Sequence, residues 1–313
     1  MEKLIELCNI NAVSANEEKL AEFISNELKD YADEIIIDSI GNVIVHKKGT
    51  GQKLMLCAEM DEPGGVVTYV SDDKVYFNFV GEINCESIVN MTVEFPNGKK
   101  GVVCIENQKK ASELKSTDLY VDMCGETAEI ADAFSIVYEP VIGKNSAIAK
   151  AGAIRSGVYA LMETVKLLDE TKNDVYAVFA SRGQVGFKGA KAAANRIAPR
   201  YCVCIGECEE EKNVKCGNGF AISLKGNNSI ADVEFVKFVK DISLKNNIAH
   251  TDKVSADGMY AGGVVKCCGE GVKVLDILIP QKYKTAPRQY INFNDNKALV
   301  DVLKKICEEE LNF

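Results

Sequence analysis

Residues 53–65, Lys-Leu-Met-Leu-Cys-Ala-Glu-Met-Asp-Glu-Pro-Gly-Gly, decide how the chain folds. An apolar run of strand length ends in Glu59, Asp61 and Glu62, and two glycines then break it. A short apolar run stopped by a turn reads as a buried strand of an α/β sheet. Ligands of such sheets collect at the carboxyl ends of the strands, so three acidic groups there mark a candidate site. The competing reading is a solvated acidic turn, because carboxylates are mostly exposed.

Working outward, Ser14-x-x-Glu17 has the form of a capping box opening a helix, whose apolar face is Leu20, Phe23, Ile24 and Leu28. Glu34 to Ile40 and Val43 to Val45 read as strands joined at Gly41-Asn42. From Val66 to about Ile142 the texture changes. Val66 to Val70 and Val75 to Val80 flank Ser71-Asp72-Asp73, and Met91 to Phe95 and Gly101 to Ile105 flank Pro96-Asn97-Gly98. Leu119 to Met123 adds another strand. Closely spaced strands with turn signals predict a small β-rich domain, and Gly143-Lys144-Asn145 reads as the return linker. Helices are then expected at Gly157 to Leu168, Phe187 to Ile197, Ser229 to Lys245 and Asn294 to Leu311. Strands are expected at Val175 to Ala180, Tyr201 to Ile205 and Val274 to Ile279. This alternation predicts a mostly parallel sheet covered by helices on both faces. The division is an α/β domain over 1–65 and 144–313, interrupted by the β-rich insertion over 66–143. No internal repeat or low-complexity segment is visible.

With 313 residues, 47% hydrophobic and 27% charged, the composition is that of an ordinary globular protein with a sizeable core. The net charge of −9 argues against a nucleic-acid groove or an anionic membrane surface as partner. No apolar run approaches the roughly 20 residues that span a bilayer, and the amphipathic N-terminus does not read as a signal peptide. Twelve cysteines in a long chain fit reduced thiols, and the expected location is the cytoplasm.

Several stretches resemble one family, the tetrahedral or glutamyl (deblocking) aminopeptidases among the co-catalytic zinc exopeptidases, and the resemblance runs along nearly the whole chain. Cys57-Ala58-Glu59-Met60-Asp61-Glu62 is similar to that family's Ala-His-x-Asp-Glu strand end, with Glu59 in place of a metal-binding His. Lys150-Ala151-Gly152-Ala153-Ile154-Arg155-Ser156-Gly157 resembles Lys-Ala-x-Asp-x-Arg-x-Gly, whose Asp bridges two metals; here Ala153 stands there, while Arg155 and Gly157 persist. Ser181-Arg182-Gly183-Gln184-Val185-Gly186 resembles a segment whose paired glutamates supply the general base and a metal ligand. Gly183 and Gln184 take those two places. Gly206 falls where the family has an Asp ligand, and Thr285 in Pro280-Gln281-Lys282-Tyr283-Lys284-Thr285 falls where it has a His. Asp61, which in the family orients the neighbouring His, is retained.

The resemblance implies the fold, an inserted β domain, two zinc or cobalt ions, and dimers assembled into a tetrahedral dodecamer. The substitutions work against the chemistry. Ala153, Gly183 and Gly206 have no donor side chain, and a catalytic zinc needs about three protein ligands. Without metal and without a carboxylate at Gly183, neither an activated water nor an obvious base is left. The expectation is therefore a pseudoenzyme with no metal or cofactor. It would bind a peptide or small molecule, or join a homo-oligomer or a mixed assembly with an active paralogue. The alternative is a peptidase or amidohydrolase with a rebuilt site.

Two rebuilt arrangements are conceivable. Glu59, Asp61, Glu62 and Glu207 could converge on a hard cation such as magnesium. Arg182 or Lys284 could instead fill the former metal volume as organic cations paired with Glu59 and Asp61. The cysteines offer less. Cys202-x-Cys204-x-x-x-Cys208 lacks the paired Cys-x-x-Cys units of a zinc ribbon and reads as core packing. Cys267-Cys268 is not expected to be redox-active, and no Cys has an evident His partner, since His250 reads as part of a polar loop. His46 sits at a strand end and reads as a surface or core residue rather than a ligand. Gly217-x-Gly219 and Gly262-Gly263 lack the ending of a phosphate loop.

Overall fold

The structure, a computed structural model, describes residues 1–107 and 109–313. The chain opens with α1 (Glu2–Asn9), α2 (Glu18–Leu28), β1 (Glu34–Ile37), β2 (Val43–Lys47) and β3 (Lys53–Glu59). Then follow β4 (Gly64–Ser71), β5 (Lys74–Val80), α3 (Cys85–Ile88), β6 (Thr92–Glu94), β7 (Lys100–Ile105), β8 (Leu119–Asp122) and β9 (Ala133–Ile136). After them come β10 (Val141–Ile142), β11 (Ser146–Lys150), α4 (Gly152–Leu167), β12 (Asp174–Ala180), α5 (Lys188–Ile197) and β13 (Tyr201–Glu209). The chain closes with β14 (Phe220–Lys225), α6 (Val233–Lys245), β15 (His250–Val254), α7 (Gly262–Val265), β16 (Lys273–Gln281), β17 (Arg288–Asn292) and α8 (Phe293–Glu308).

An eight-stranded sheet in the order β1-β2-β12-β3-β13-β16-β14-β15 forms the middle layer. Its four central strands β12, β3, β13 and β16 are mutually parallel. The flanks are not: β2 runs antiparallel to β12, and β14 antiparallel to β16. The expected mostly parallel sheet is thus a mixed one with a parallel centre. The physical reason is connectivity: β1 and β2 form a hairpin, whereas β2 pairs with β12 and β14 with β16 across long stretches of chain, so no local pattern sets their directions. Leu54 to Ala58 are buried on both faces of the sheet, which is why β3 reads as an unbroken apolar run. One face packs under α1, α2, α4, α6 and α8, with Leu161, Phe235 and Leu303 in its core. The other packs under α5 and α7 through small residues such as Ala190, Ala193 and Cys204.

Strands β4-β5-β8-β7-β6-β9 close into a barrel, which leaves no free strand edge among them. Phe77, Phe95 and Phe134 meet edge-to-face inside it, an arrangement worth about 0.5–1.5 kcal/mol per pair beyond the area buried. A further sheet, β10-β11-β17, was not anticipated; Gly143-Lys144-Asn145 is its hairpin turn rather than an extended linker.

Four more local expectations need correction. Ser14 and Glu17 do not cap α2, whose N-terminus has no side-chain cap; both side chains reach the strand ends instead. Helix α4 starts at Gly152, five residues ahead of the expected Gly157. Gly157 lies inside it, since a Cβ there would stand 3.0 Å from Ile205 Cγ2 and crowd the helix off the sheet. Helix α6 starts at Val233, where the Asp232 carboxylate accepts a hydrogen bond from the Phe235 amide at 3.1 Å. His250 begins edge strand β15 and stacks on Phe220, so it is not in a loop. Among the described residues, no helix is long and apolar enough to cross a membrane.

Candidate functional site

The parallel strands β12, β3 and β13 end together, and the loops that follow them frame a cavity of about 240 Å³. Seven of the residues singled out in the sequence line it: Glu59, Ala153, Gly183, Gln184, Gly206, Glu207 and Lys284. Asp61, Glu62, Arg155, Arg182 and Thr285 do not. The Asp61 carboxylate is turned into the framework, where it accepts hydrogen bonds from the Gly183 amide at 2.7 Å, the Gln184 amide at 2.9 Å and the Ser14 hydroxyl. Glu17 accepts from the Arg182 amide at 2.8 Å. The segment read as a helix cap therefore ties the loop after β12 to the end of β3. Thr285 is exposed, and its carbonyl accepts from the Asn84 amide.

Glu62 belongs to a separate buried cluster. Its carboxylate lies 2.8 Å from Arg155 Nη2 and 2.9 Å from Lys150 Nζ. Arg155 also donates to the carbonyls of Leu7, Ile10 and Met60. This cluster staples α1 and α4 onto the strand end. Burial by itself would raise the Glu62 carboxyl, but the Lys150 and Arg155 cations outweigh it and hold that carboxyl below its ordinary value.

Neither rebuilt arrangement forms. Among the described residues, no group of three or more His, Cys, Asp or Glu side chains is placed to hold a metal ion. Glu59, Asp61, Glu62 and Glu207 do not converge because Asp61 and Glu62 face other partners. The expected pairing of Arg182 or Lys284 with Glu59 and Asp61 is absent as well. Lys284 Nζ lies 3.8 Å from Glu82, and Arg182 has its Nε buried without a partner away from the cavity lining. The Cys202 and Cys204 thiols lie 3.5 Å apart in the core, while Cys208 packs in a different cluster with Tyr260 and Leu278.

The cavity favours neutral carboxyls. Burial, and then the Asp61, Glu207 and Asp276 anions, raise Glu59 well above the usual carboxylate range. Burial pushes Glu207 up to about 7 against the opposing pulls of Lys284 and of the neighbouring Gln281 amide. The residues present do not fit a pair of divalent cations. Three positions around the cavity, Ala153, Gly183 and Gly206, offer no donor atom, and Asp61 is fully used by its own hydrogen bonds. The Glu59 side chain also fills the space beside Gly183, where a Cβ would meet Glu59 Oε2 at 2.3 Å.

Sequence reasoning missed Glu82, Asp257, Tyr260 and Gln289, which also line the cavity. Gln289 arrives on β17, from the sheet that periodicity did not reveal, and Glu82 arrives from the barrel's edge. No local motif announces either.

Comparison with known proteins bears on the same geometry. A model of the M42 glutamyl aminopeptidase family matches residues 41–302. A putative aminopeptidase of Acetivibrio thermocellus is 32% identical over 97% of this chain and 97% of its own. An aminopeptidase structure from the archaeon Desulfurococcus kamchatkensis superposes with a TM-score of 0.93 at 24% identity, covering 98% of this chain and 94% of that one. The TET1 peptidase of Pyrococcus horikoshii, described as assembling into a tetrahedron or a large octahedral shell, superposes with a TM-score of 0.90. It is 26% identical, covering 98% of this chain and 99% of that one.

Proposed function

The chain belongs to the M42 glutamyl aminopeptidase family, and from that premise we propose that it has left two-metal peptidase chemistry and serves as a ligand-binding or assembly protein. One observation carries the reading. At the ends of β3, β12 and β13, where the sequence resemblance places ligands and a base, the cavity presents Ala153, Gly183 and Gly206, and Glu59 fills the room beside Gly183. A dinuclear centre needs several anionic donors around a shared bridge, and taking them away leaves the cations' charge uncompensated. What these residues still do is enclose a small volume, keep two carboxyls largely out of water and hold the loop after β12 through Asp61.

A hydrolase with a rebuilt site is the competing reading. It is favoured by Glu207, a cavity-lining carboxyl that burial raises to about 7 and that could exchange a proton with a bound amide. Aminoacyl reporter substrates, assayed with and without added zinc or cobalt, separate the two. The proposal expects no turnover above the Glu207→Gln background under either condition. Metal-dependent turnover would overturn it, and turnover that needs Glu207 but no metal would establish the rebuilt hydrolase. Self-association is also proposed, by analogy with the shell-forming TET1 peptidase. Sedimentation analysis at several protein concentrations tests it: a discrete multiple of the 34.2 kDa chain is expected, and a monomer throughout would contradict it.

A further inference from the structure

We propose that the exposed face of α5 docks a short acidic segment of a protein partner. The inference goes beyond the reading of the cavity and does not depend on what the cavity holds.

Charge is unevenly placed along the chain. The net charge is −9, yet between Asp174 and Glu207 there is no Asp or Glu, while Arg182, Lys188, Lys191, Arg196 and Arg200 fall there. Lys188, Lys191 and Arg196 lie on α5 and Arg200 just beyond it, and all four are exposed. Among the described residues, none of these four forms an ion pair. The neighbouring elements do not neutralise them. Helix α7 and the loop after it pack beside α5 through Val265 and Cys268 and bring Lys266 with Glu270, the only acid there. Lys53 on β3 adds a further cation, donating to the Ile197 carbonyl at the end of α5 at 3.0 Å.

These cations stand where the helix itself disfavours them. The N-terminal end of a helix is the positive end of its dipole and favours acidic side chains. The first turns of α1, α2, α3, α6 and α8 follow that rule with Glu2, Glu18, Glu86, Glu234 and Asp295. Helix α5 breaks it: Lys188 is its first residue, and its first turn holds no acid and no side-chain cap. Lys188 and Lys191 are also neighbours on the helix surface, where like charges destabilise. A local rule broken with no compensating contact inside the fold points to a contact outside it. Docked carboxylates would supply the missing negative charge at the helix start and along the face.

The surroundings decide the class of partner. The apolar side of α5, Ala190, Ala193, Ala194 and Ile197, is already packed against the sheet, so the helix has no hydrocarbon face left to enter a bilayer. Between the cations the outer face carries Ala192 and Asn195 and no aromatic ring on which bases could stack. Ten residues of helix extend about 15 Å, and outside residues 175–206 acidic residues outnumber basic ones. A long polyanion would run off the patch into like charge, whereas a short acidic segment would match it. The Arg196 and Arg200 guanidinium groups present planar forks that pair with carboxylates through two hydrogen bonds.

Fluorescence anisotropy of the full-length protein with labelled hexaglutamate as probe tests the proposal. Binding is expected at low salt and should weaken by about tenfold or more between about 50 and 200 mM salt, because exposed charges are screened. Lys191→Glu combined with Arg196→Glu should weaken it by at least about tenfold through like-charge repulsion. Lys237→Glu combined with Lys297→Glu, on α6 and α8 across the sheet, makes the same change in net charge and should leave binding unaltered. Lys188→Glu should weaken the peptide while raising the melting temperature, because it restores an acid to the helix start. A lowered melting temperature would give Lys188 a role inside the fold and overturn the proposal. So would the absence of hexaglutamate binding at low salt, or equal weakening by the α6 and α8 pair. Tighter binding of a charge-matched oligouridylate, or of vesicles containing an anionic lipid, would overturn it in favour of a nucleic acid or a membrane. Sedimentation showing that the α5 double variant loses self-association, in a protein that does not bind hexaglutamate, would overturn it in favour of a second copy.

Discussion

At the strand ends Gly183 and Glu59 share one space. The glycine has no side chain in the loop after β12, and the Glu59 carboxylate lies where a Cβ at that position would stand. The two positions are sterically coupled, since a side chain at Gly183 requires the Glu59 side chain to shift. Gly183→Ala is expected to lower stability by about 1–3 kcal/mol through overpacking. In a Glu59→Ala background the same change should be close to neutral, because the clashing atoms are gone. Chemical unfolding of the four proteins measures this coupling, and strictly additive effects would show that the two side chains do not share the space. The absence of side-chain donors at Ala153, Gly183 and Gly206 is legible in the sequence because it needs no geometry. The direction of Arg182 is not. Its backbone sits at φ +54°, and a left-handed residue sends its side chain where no periodicity rule points.

Among the elements, the buried cluster of Glu62, Lys150 and Arg155 joins α1, β3, β11 and α4. Removing the charge at one member of such a cluster leaves the others uncompensated in a dry site, so Glu62→Gln is expected to cost about 3–5 kcal/mol. The pH dependence follows from the depressed Glu62 carboxyl. An acid with a lowered folded-state value stabilises the fold fully above its unfolded value of 4.5 and loses that contribution as pH falls through the lower folded value. The difference in melting temperature between the unsubstituted protein and Glu62→Gln should therefore be constant from pH 6 to 8 and shrink below pH 4.5. A difference that grew on acidification would contradict the assignment. The strands and helices around this cluster could be read from the chain because β3, β12 and β13 are long apolar runs and α8 is strongly amphipathic. The sheet β10-β11-β17 could not. Its strands are short, and its pairing joins residues 146–150 to residues 288–292, a separation that local patterns do not span. Ser14 and Glu17 misled for a related reason: a capping signature is only a pair of side chains able to accept hydrogen bonds from amides, and here the strand ends claim both.

For the whole molecule, a frame shared with solved structures surrounds a cavity poor in side-chain donors. The three-layer body and closed barrel match solved aminopeptidase and peptidase structures along nearly the full chain, and the walls of the central cavity lack side-chain donors at three places and hold two carboxyls. A fold of this size is stabilised mostly by its apolar layers, so exchanging a few cavity residues leaves it standing while altering what it can hold. The most direct test is metal content after saturation. The protein would be incubated with zinc or cobalt, passed through a desalting column and analysed by elemental mass spectrometry. The account predicts no retained metal; a pair of ions retained per chain would contradict it.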